Sequence, residues 1–273
     1  MTKSAEMTLI VGGAGKTGRR VAERLATKGL PFRLASRSAA LPFDWNVETT
    51  WASALKDVGS AYITYYPDLA VPWAAEHVGR FARRAVDGGV ETLVLLAGRG
   101  EPQVAAAEQA VRESGAAFTL IEAAFFCQNF SEGVLAPTGG EIVFPAGGVA
   151  EPFVDADDIA DVAVAVLTDD AHAGKTYELT GPRLLTFGEA ALEIAAASGR
   201  HMRYRPVSFE EYAEALAPHM QAEEVAFLID LFRHLLDGHN AHLTDGVERA
   251  IGRKPRDFRD YARAAAASGA WAQ

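Results

Sequence analysis

The sequence is poorest in cysteine. Cys127 is its only one, so no intrachain disulfide can form. A chain of 273 residues buries enough apolar surface to need none. A lone thiol suits a reducing compartment. Long apolar runs are missing too, and nothing approaches the roughly 20 residues that span a bilayer. The stretch Met1–Met7, with Lys3, Ser4 and Glu6, has no apolar segment of the secretory kind, so a cytoplasmic protein is expected. Positive charge is in deficit: 26 Lys and Arg face 36 Asp and Glu, a net charge of −10. That balance argues against nucleic acid or an anionic membrane as partner, though it leaves room for a local basic pocket holding one small anion. Internal repeats and heptads are absent. So is the Gly-x-Ser-x-Gly turn of serine hydrolases. His234, His239 and His242 are interrupted by Gly238 and match no metal spacing. Asp155, Asp157, Asp158 and Asp161 lack the glycine and terminal glutamate of a calcium loop and read as the acidic start of a helix. No metal is expected.

What remains, 49% hydrophobic and 23% charged residues, is globular. Strand and helix signals alternate from the start. Thr8–Val11 is an apolar strand, followed by a helix that ends at Gly29. Pro31–Ser36 reads as a strand, with a short third one ending at Asp44. Trp51–Val58 reads as helix, Ala61–Tyr65 as strand, Pro72 to Gly88 as helix and Glu91–Ala97 as a strand covered on both faces. A helix around Pro102–Ser114 and a strand Ala117–Ala123 follow. Later come a strand Glu141–Phe144, a helix Asp155–Leu167 with Asp155 and Asp158 at capping-box spacing, and a returning strand Tyr177–Thr180. The expected fold is α/β: a Rossmann-type doubly wound parallel sheet over residues 1–181, with a smaller, mostly helical lobe over 182–273 that covers the substrate. Ligands of such sheets lie at the carboxyl ends of the strands, which directs attention to the loops after Val11, Ser36, Thr64, Ala97 and Ala123.

Gly12-x-x-Gly15-x-x-Gly18 sits directly after a strand and opens a helix. Gly12 permits the tight turn, Gly15 a close approach of a diphosphate to the backbone, and Gly18 close packing of helix on strand. The N–H groups of Lys16 and Thr17 lie at a helix N-terminus that favours an anion. Gly15-Lys16-Thr17 is not a Walker loop, which would need glycine where Ile10 stands. Arg37, between Ser36 and Ser38, follows Gly18 by about the spacing at which NAD-binding chains carry an acid. An arginine flanked by hydroxyls suits a 2′-phosphate, so NADP(H) is expected in preference to NAD(H). Asp44 is a candidate for the adenine amino group, or a plain turn residue.

Gly12–Gly18, Gly29-Leu30-Pro31-Phe32, Phe43-Asp44-Trp45, Phe153–Ala160 and Tyr177–Pro182 together resemble the NmrA-like branch of the atypical short-chain dehydrogenases, and within it the festuclavine synthase type of ergot-alkaloid reductase. The resemblance implies an NADP(H)-binding Rossmann domain with a small C-terminal lobe, and for the ergot type hydride delivery to an imine or iminium carbon. The chain departs from ordinary short-chain dehydrogenases in having no Tyr-x-x-x-Lys pair. The corresponding helix reads Ala105–Ala110, with Gln109 where lysine is frequent. Leu96-Ala97-Gly98-Arg99 lacks the usual serine, and Glu122 stands where many relatives have arginine. An iminium carbon needs no proton donor during hydride transfer, which suits these losses.

Other cofactor-lining candidates are Thr64, Tyr65, Ala97, Gly98, Ala123, Ala124 and Phe125. Tyr66 is expected on the nicotinamide side, as proton donor, substrate contact or packing aromatic. Glu122 and Phe126 join it as pocket candidates, Glu122 either attracting a cationic substrate or pairing with an arginine. Cys127 reads as a buried structural thiol. The expected activity is NADPH-dependent hydride transfer to a small, largely apolar imine, iminium or activated alkene. A non-catalytic NADP(H)-binding redox-sensing regulator and a cofactor-assisted isomerase or epimerase stay open.

Overall fold

The structure, a computed structural model, describes residues 6–272, so most of the Met1–Met7 stretch lies outside the described residues. In chain order the elements are β1 (Met7–Val11), α1 (Lys16–Thr27), β2 (Phe32–Ala35), α2 (Thr49–Leu55), β3 (Val58–Ile63), α3 (Ala74–Asp87), β4 (Thr92–Gly98), α4 (Ala105–Arg112) and β5 (Ala117–Ala123). They continue with α5 (Asn129–Glu132), β6 (Glu141–Phe144), β7 (Ala150–Glu151), α6 (Ala156–Thr168), β8 (Lys175–Leu179), β9 (Leu185–Thr186), α7 (Phe187–Ser198), β10 (Arg203–Pro206), α8 (Phe209–Leu216), α9 (Ala222–Leu235), α10 (Gly246–Ile251) and α11 (Phe258–Ala267).

Six strands form one parallel sheet in the order β2-β1-β3-β4-β5-β8. Strand order reverses beside β1, where right-handed crossovers run outward in both directions and place helices on both faces. Leu9, Ile10, Val11, Ala61, Tyr62, Ile63, Leu93, Val94, Leu95, Leu120 and Ile121 are fully buried in this sheet. Their runs are continuous rather than alternating because neither face meets water. The acids 157, 158 and 161 at the head of α6 are structural. Asp157 and Asp161 take Arg24 of α1, and Asp158 and Asp161 take Arg253 at 2.6 and 2.5 Å.

The chain divides into two compact units, and it crosses between them more often than the single cut expected at 181/182. The first unit holds the described residues up to Ala123, Ala156–Leu179 and Asp245–Arg253; the second holds Ala124–Asp155, Thr180–Thr244 and Lys254 onward. Segment 245–253 returns to the first unit because Gly246 has no β-carbon: one built there would collide with the carbonyl of Glu178 in β8. In the second unit β10 pairs with β6 and β7 with β9. Its core is aromatic, with Phe130, Phe144, Phe153, Phe187, Phe232 and Phe258 at ring separations such as 5.2 Å for Phe130–Phe153 and 4.9 Å for Phe144–Phe232. Asp155 accepts a hydrogen bond from Gln128 Nε2 at 2.7 Å.

Two sequence readings need correction. The short third strand ending at Asp44 is only an isolated bridge, Ser36 to Pro42; the third strand of the sheet is Val58–Ile63. Asp44 instead anchors a turn, accepting the N–H of Asn46 at 2.9 Å while its carbonyl takes Trp51 Nε1. The helix read over Trp51–Val58 ends at Leu55, since Val58 is already drawn into the buried sheet.

Candidate functional site

The loop after β1 stands at the reversal of strand order. Gly12 has φ +77, a region closed to β-branched and bulky side chains, and a β-carbon there would strike Thr64. Thr64 follows β3 and donates from Oγ1 to the carbonyl of Val11 at 3.0 Å, tying the two strand ends together. The N–H of Gly15 donates to the carbonyl of Gly12 at 2.8 Å, and a β-carbon on Gly18 would collide with that same carbonyl. Loop and helix are therefore in backbone contact. α1 begins with Gly15 as N-cap, no side-chain cap and no acid in its first turn. The head of α1 is the positive end of the helix dipole, and this glycine-lined cradle fits a diphosphate.

The next predicted group gathers beyond β2. Ser36 and Ser38 hydroxyls lie 3.4 Å apart, and the Ser36 carbonyl closes the loop by accepting Phe43 N–H at 3.0 Å. Arg37 is exposed, and no carboxylate pairs with it among the described residues. Its guanidinium lies 4.8 Å from the ring centre of Tyr66. Tyr66, which follows β3, is exposed and lies beside Arg37 of the loop after β2. Tyr65 turns inward: its hydroxyl lies 2.7 Å from His77 Nδ1 and its ring 4.8 Å from Trp45. Burial pushes the Tyr65 phenol up to about 12, which disfavours it as an acid near neutrality.

At the carboxyl ends of β4 and β5, Gly98 pairs with Ala123, and Arg99 N–H donates to the Ala123 carbonyl. Ala97 is buried in the same ladder. Glu122 lies in a carboxylate cluster with Glu108 and Glu178. Burial first, then those two charges, push it up to about 7, against the pull of Arg112 and Arg99. The two arginines bond the neighbours: Arg112 to Glu108 at 3.3 Å and Arg99 to Glu178 at 3.1 Å. Gln109 is exposed and bonds Glu113. In the second unit, Ala124 is buried and Phe125 packs at 6.1 Å from Phe187. Phe126 bridges to Val154, and Cys127 is a fully buried free thiol.

Two acids of this edge were missed in the sequence. Asp68 follows β3 and accepts the Ala70 N–H at 2.8 Å; burial raises its pKa. Glu101 follows β4, and its carboxyl folds back over Gly98, with Oε2 2.8 Å from the place of a β-carbon. Burial, with the charge of Asp68, pushes Glu101 up to about 8. Each acid stands beside a proline within five residues of a strand end, a signal that loop reading could have used. Glu101 binds its proton more tightly folded than unfolded. Its contribution to stability is therefore complete below about pH 4.5 and is lost as pH rises through about 8. Thermal unfolding should show Tm falling across that window, and Glu101→Gln should flatten the slope by on the order of a few kcal/mol. An unchanged slope contradicts the burial.

No family model matches the chain. Curated relatives do. An uncharacterized oxidoreductase, YesF, of Bacillus subtilis is 32% identical over 95% of both chains. The NAD(P)H azoreductase of Xenophilus azovorans is 30% identical over 96% of this chain and 99% of its own. An agroclavine dehydrogenase of Claviceps fusiformis is 30% identical over 93% and 95%. Among solved structures, the Citrobacter triphenylmethane reductase complexed with NADP(H) superposes with a TM-score of 0.72 at 21% identity, covering 95% and 99%. The negative transcriptional regulator Nmra in complex with NAD gives 0.71 at 14%, covering 98% and 97%. At those identities the structures show the shared fold.

Proposed function

We propose, for a chain that belongs to the NmrA-like atypical short-chain dehydrogenase/reductase family, an NADPH-dependent reductase that transfers hydride to a small, largely apolar imine, iminium or activated alkene. The observation that carries this reading is the uncapped N-terminus of α1 at the reversal of strand order, lined by three glycines, of which Gly12 and Gly18 have no room for a β-carbon. The names of two relatives, an azoreductase using NAD(P)H and a reductase complexed with NADP(H), support it.

Lys16, Thr17 and Gly18 would hold the diphosphate through backbone N–H groups. Ser36, Arg37 and Ser38 would hold the 2′-phosphate, with Arg37 steadied by the Tyr66 ring. Bound NADPH would supply the hydride. The chain's own contribution is orientation of the coenzyme against the carboxyl edge of β4 and β5, and exclusion of water by the buried ends of those strands. Among the described residues no helix is long and apolar enough to cross a membrane. A panel of cyclic imines, quinones and enones tests the activity by NADPH consumption. Turnover of any member supports the reductase, whereas binding of NADPH without turnover across the panel favours the redox-sensing regulator.

A further inference from the structure

Six of the buried or half-buried acids of the first unit have a guanidinium partner, whereas Asp44 and Glu122 form no ion pair among the described residues. Asp157, Asp158 and Asp161 take Arg24 and Arg253; Glu108 takes Arg112; Glu178 takes Arg99; Glu48 takes Arg80 and Arg84. Asp68 and Glu101 have none among the described residues. They follow adjacent parallel strands, β3 and β4, on the edge that also carries the glycine loop. Asp68 at least takes the Ala70 N–H, whereas Glu101 has no side-chain hydrogen bond to the described protein. Its carboxyl folds back onto Gly98 and fills the space that the missing side chain leaves at the end of β4. A half-buried carboxyl with neither counter-ion nor donor is best accommodated as the neutral acid, which can donate a hydrogen bond and a proton.

We propose that Glu101 is the proton donor of this reductase, and that the substrate is a neutral acceptor, a quinone, neutral imine or activated alkene, rather than a fixed cation. The proposal rests on the reductase reading above and narrows it. The acceptor's double bond gains the coenzyme's hydride at one atom, and its π pair collects on the other. That second atom takes the proton as the O–H bond of Glu101 breaks, so the acceptor gains two electrons, one hydrogen from the coenzyme and one from the acid. Glu101 is left as carboxylate and regains a proton from solvent. An iminium cation, already positive, would need only the first event.

The test has two arms. In the first, the full chain carries 13C-labelled glutamate side chains and is titrated by NMR without coenzyme. A carboxyl that remains protonated at pH 7 should be present in the wild type, vanish in Glu101→Gln and lose its proton at lower pH in Asp68→Asn. If no such signal exists, the proposal falls, whatever the enzyme's activity. In the second, NADPH consumption is followed with 1,4-naphthoquinone and with the N-methyl-3,4-dihydroisoquinolinium cation. Glu101→Gln should lose on the order of 10²–10⁴-fold in kcat on the quinone, and far less on the cation. Its Kd for NADPH should match the wild type. Equal losses on both acceptors would make Glu101 a structural residue and overturn the proposal. A wild type that reduces only the cation overturns it while leaving the reductase standing. A wild type that binds no NADPH removes the reductase reading itself.

Discussion

Gly15→Asp is expected to raise the Kd for NADPH on the order of 100-fold while leaving the protein as stable as before, or slightly more so. The backbone at Gly15 is ordinary and extended, φ −77 and ψ 175, so an L residue fits without strain. Its β-carbon would stand 3.1 Å from the Gly12 carbonyl, a tight contact that a small shift relieves. Aspartate is also a favoured N-cap, and its carboxylate would bond N–H groups at the head of α1, where Gly15 supplies no side-chain cap. The gain over glycine is a few tenths of a kcal/mol. Those same N–H groups are the proposed seat of the diphosphate. A resident negative charge both occupies them and repels the ligand, and each charge-assisted bond lost costs roughly 1.5–3 kcal/mol. Fold stability and coenzyme affinity should thus move in opposite directions. Calorimetry and thermal unfolding on the same preparation read both. A Kd unchanged by the substitution would place the coenzyme elsewhere.

Arg37→Ala should weaken NADPH on the order of 10–100-fold and NADH less than about twofold. The guanidinium lies over the Tyr66 ring and pairs with no carboxylate among the described residues, so its removal strands no buried charge and should leave Tm unchanged. The only difference between the two coenzymes is the 2′-phosphate, and the ratio of the two Kd values isolates the contact. Equal weakening of both would reduce Arg37 to a solvated loop residue.

The parallel sheet was legible because its strands are continuous apolar runs and its first loop carries three glycines with fixed tasks. Two of those tasks have a physical counterpart: positive φ at Gly12 and the missing β-carbon of Gly18. The interleaving of the two units was not legible. In its last return, 245–253, Gly246 meets the backbone of β8, a long-range fit that no local pattern encodes. The approach of Arg37 to the Tyr66 ring, 29 positions later in the chain, is likewise a long-range contact that no local pattern encodes. Beyond the neighbouring proline, Asp68 and Glu101 carry no local signal that sets them apart from other loop acids. Exposure is the default for such residues, and only the folded edge shows that Glu101 turns back over Gly98.

The central claim is that the α1 N-terminus and the loop after β2 together receive a phosphorylated nicotinamide coenzyme. Titration of the purified chain with NADPH and with NADH in a calorimeter tests it most directly. Saturable one-to-one binding, tighter for NADPH than for NADH, is the predicted result. Absence of binding by either coenzyme would contradict the account.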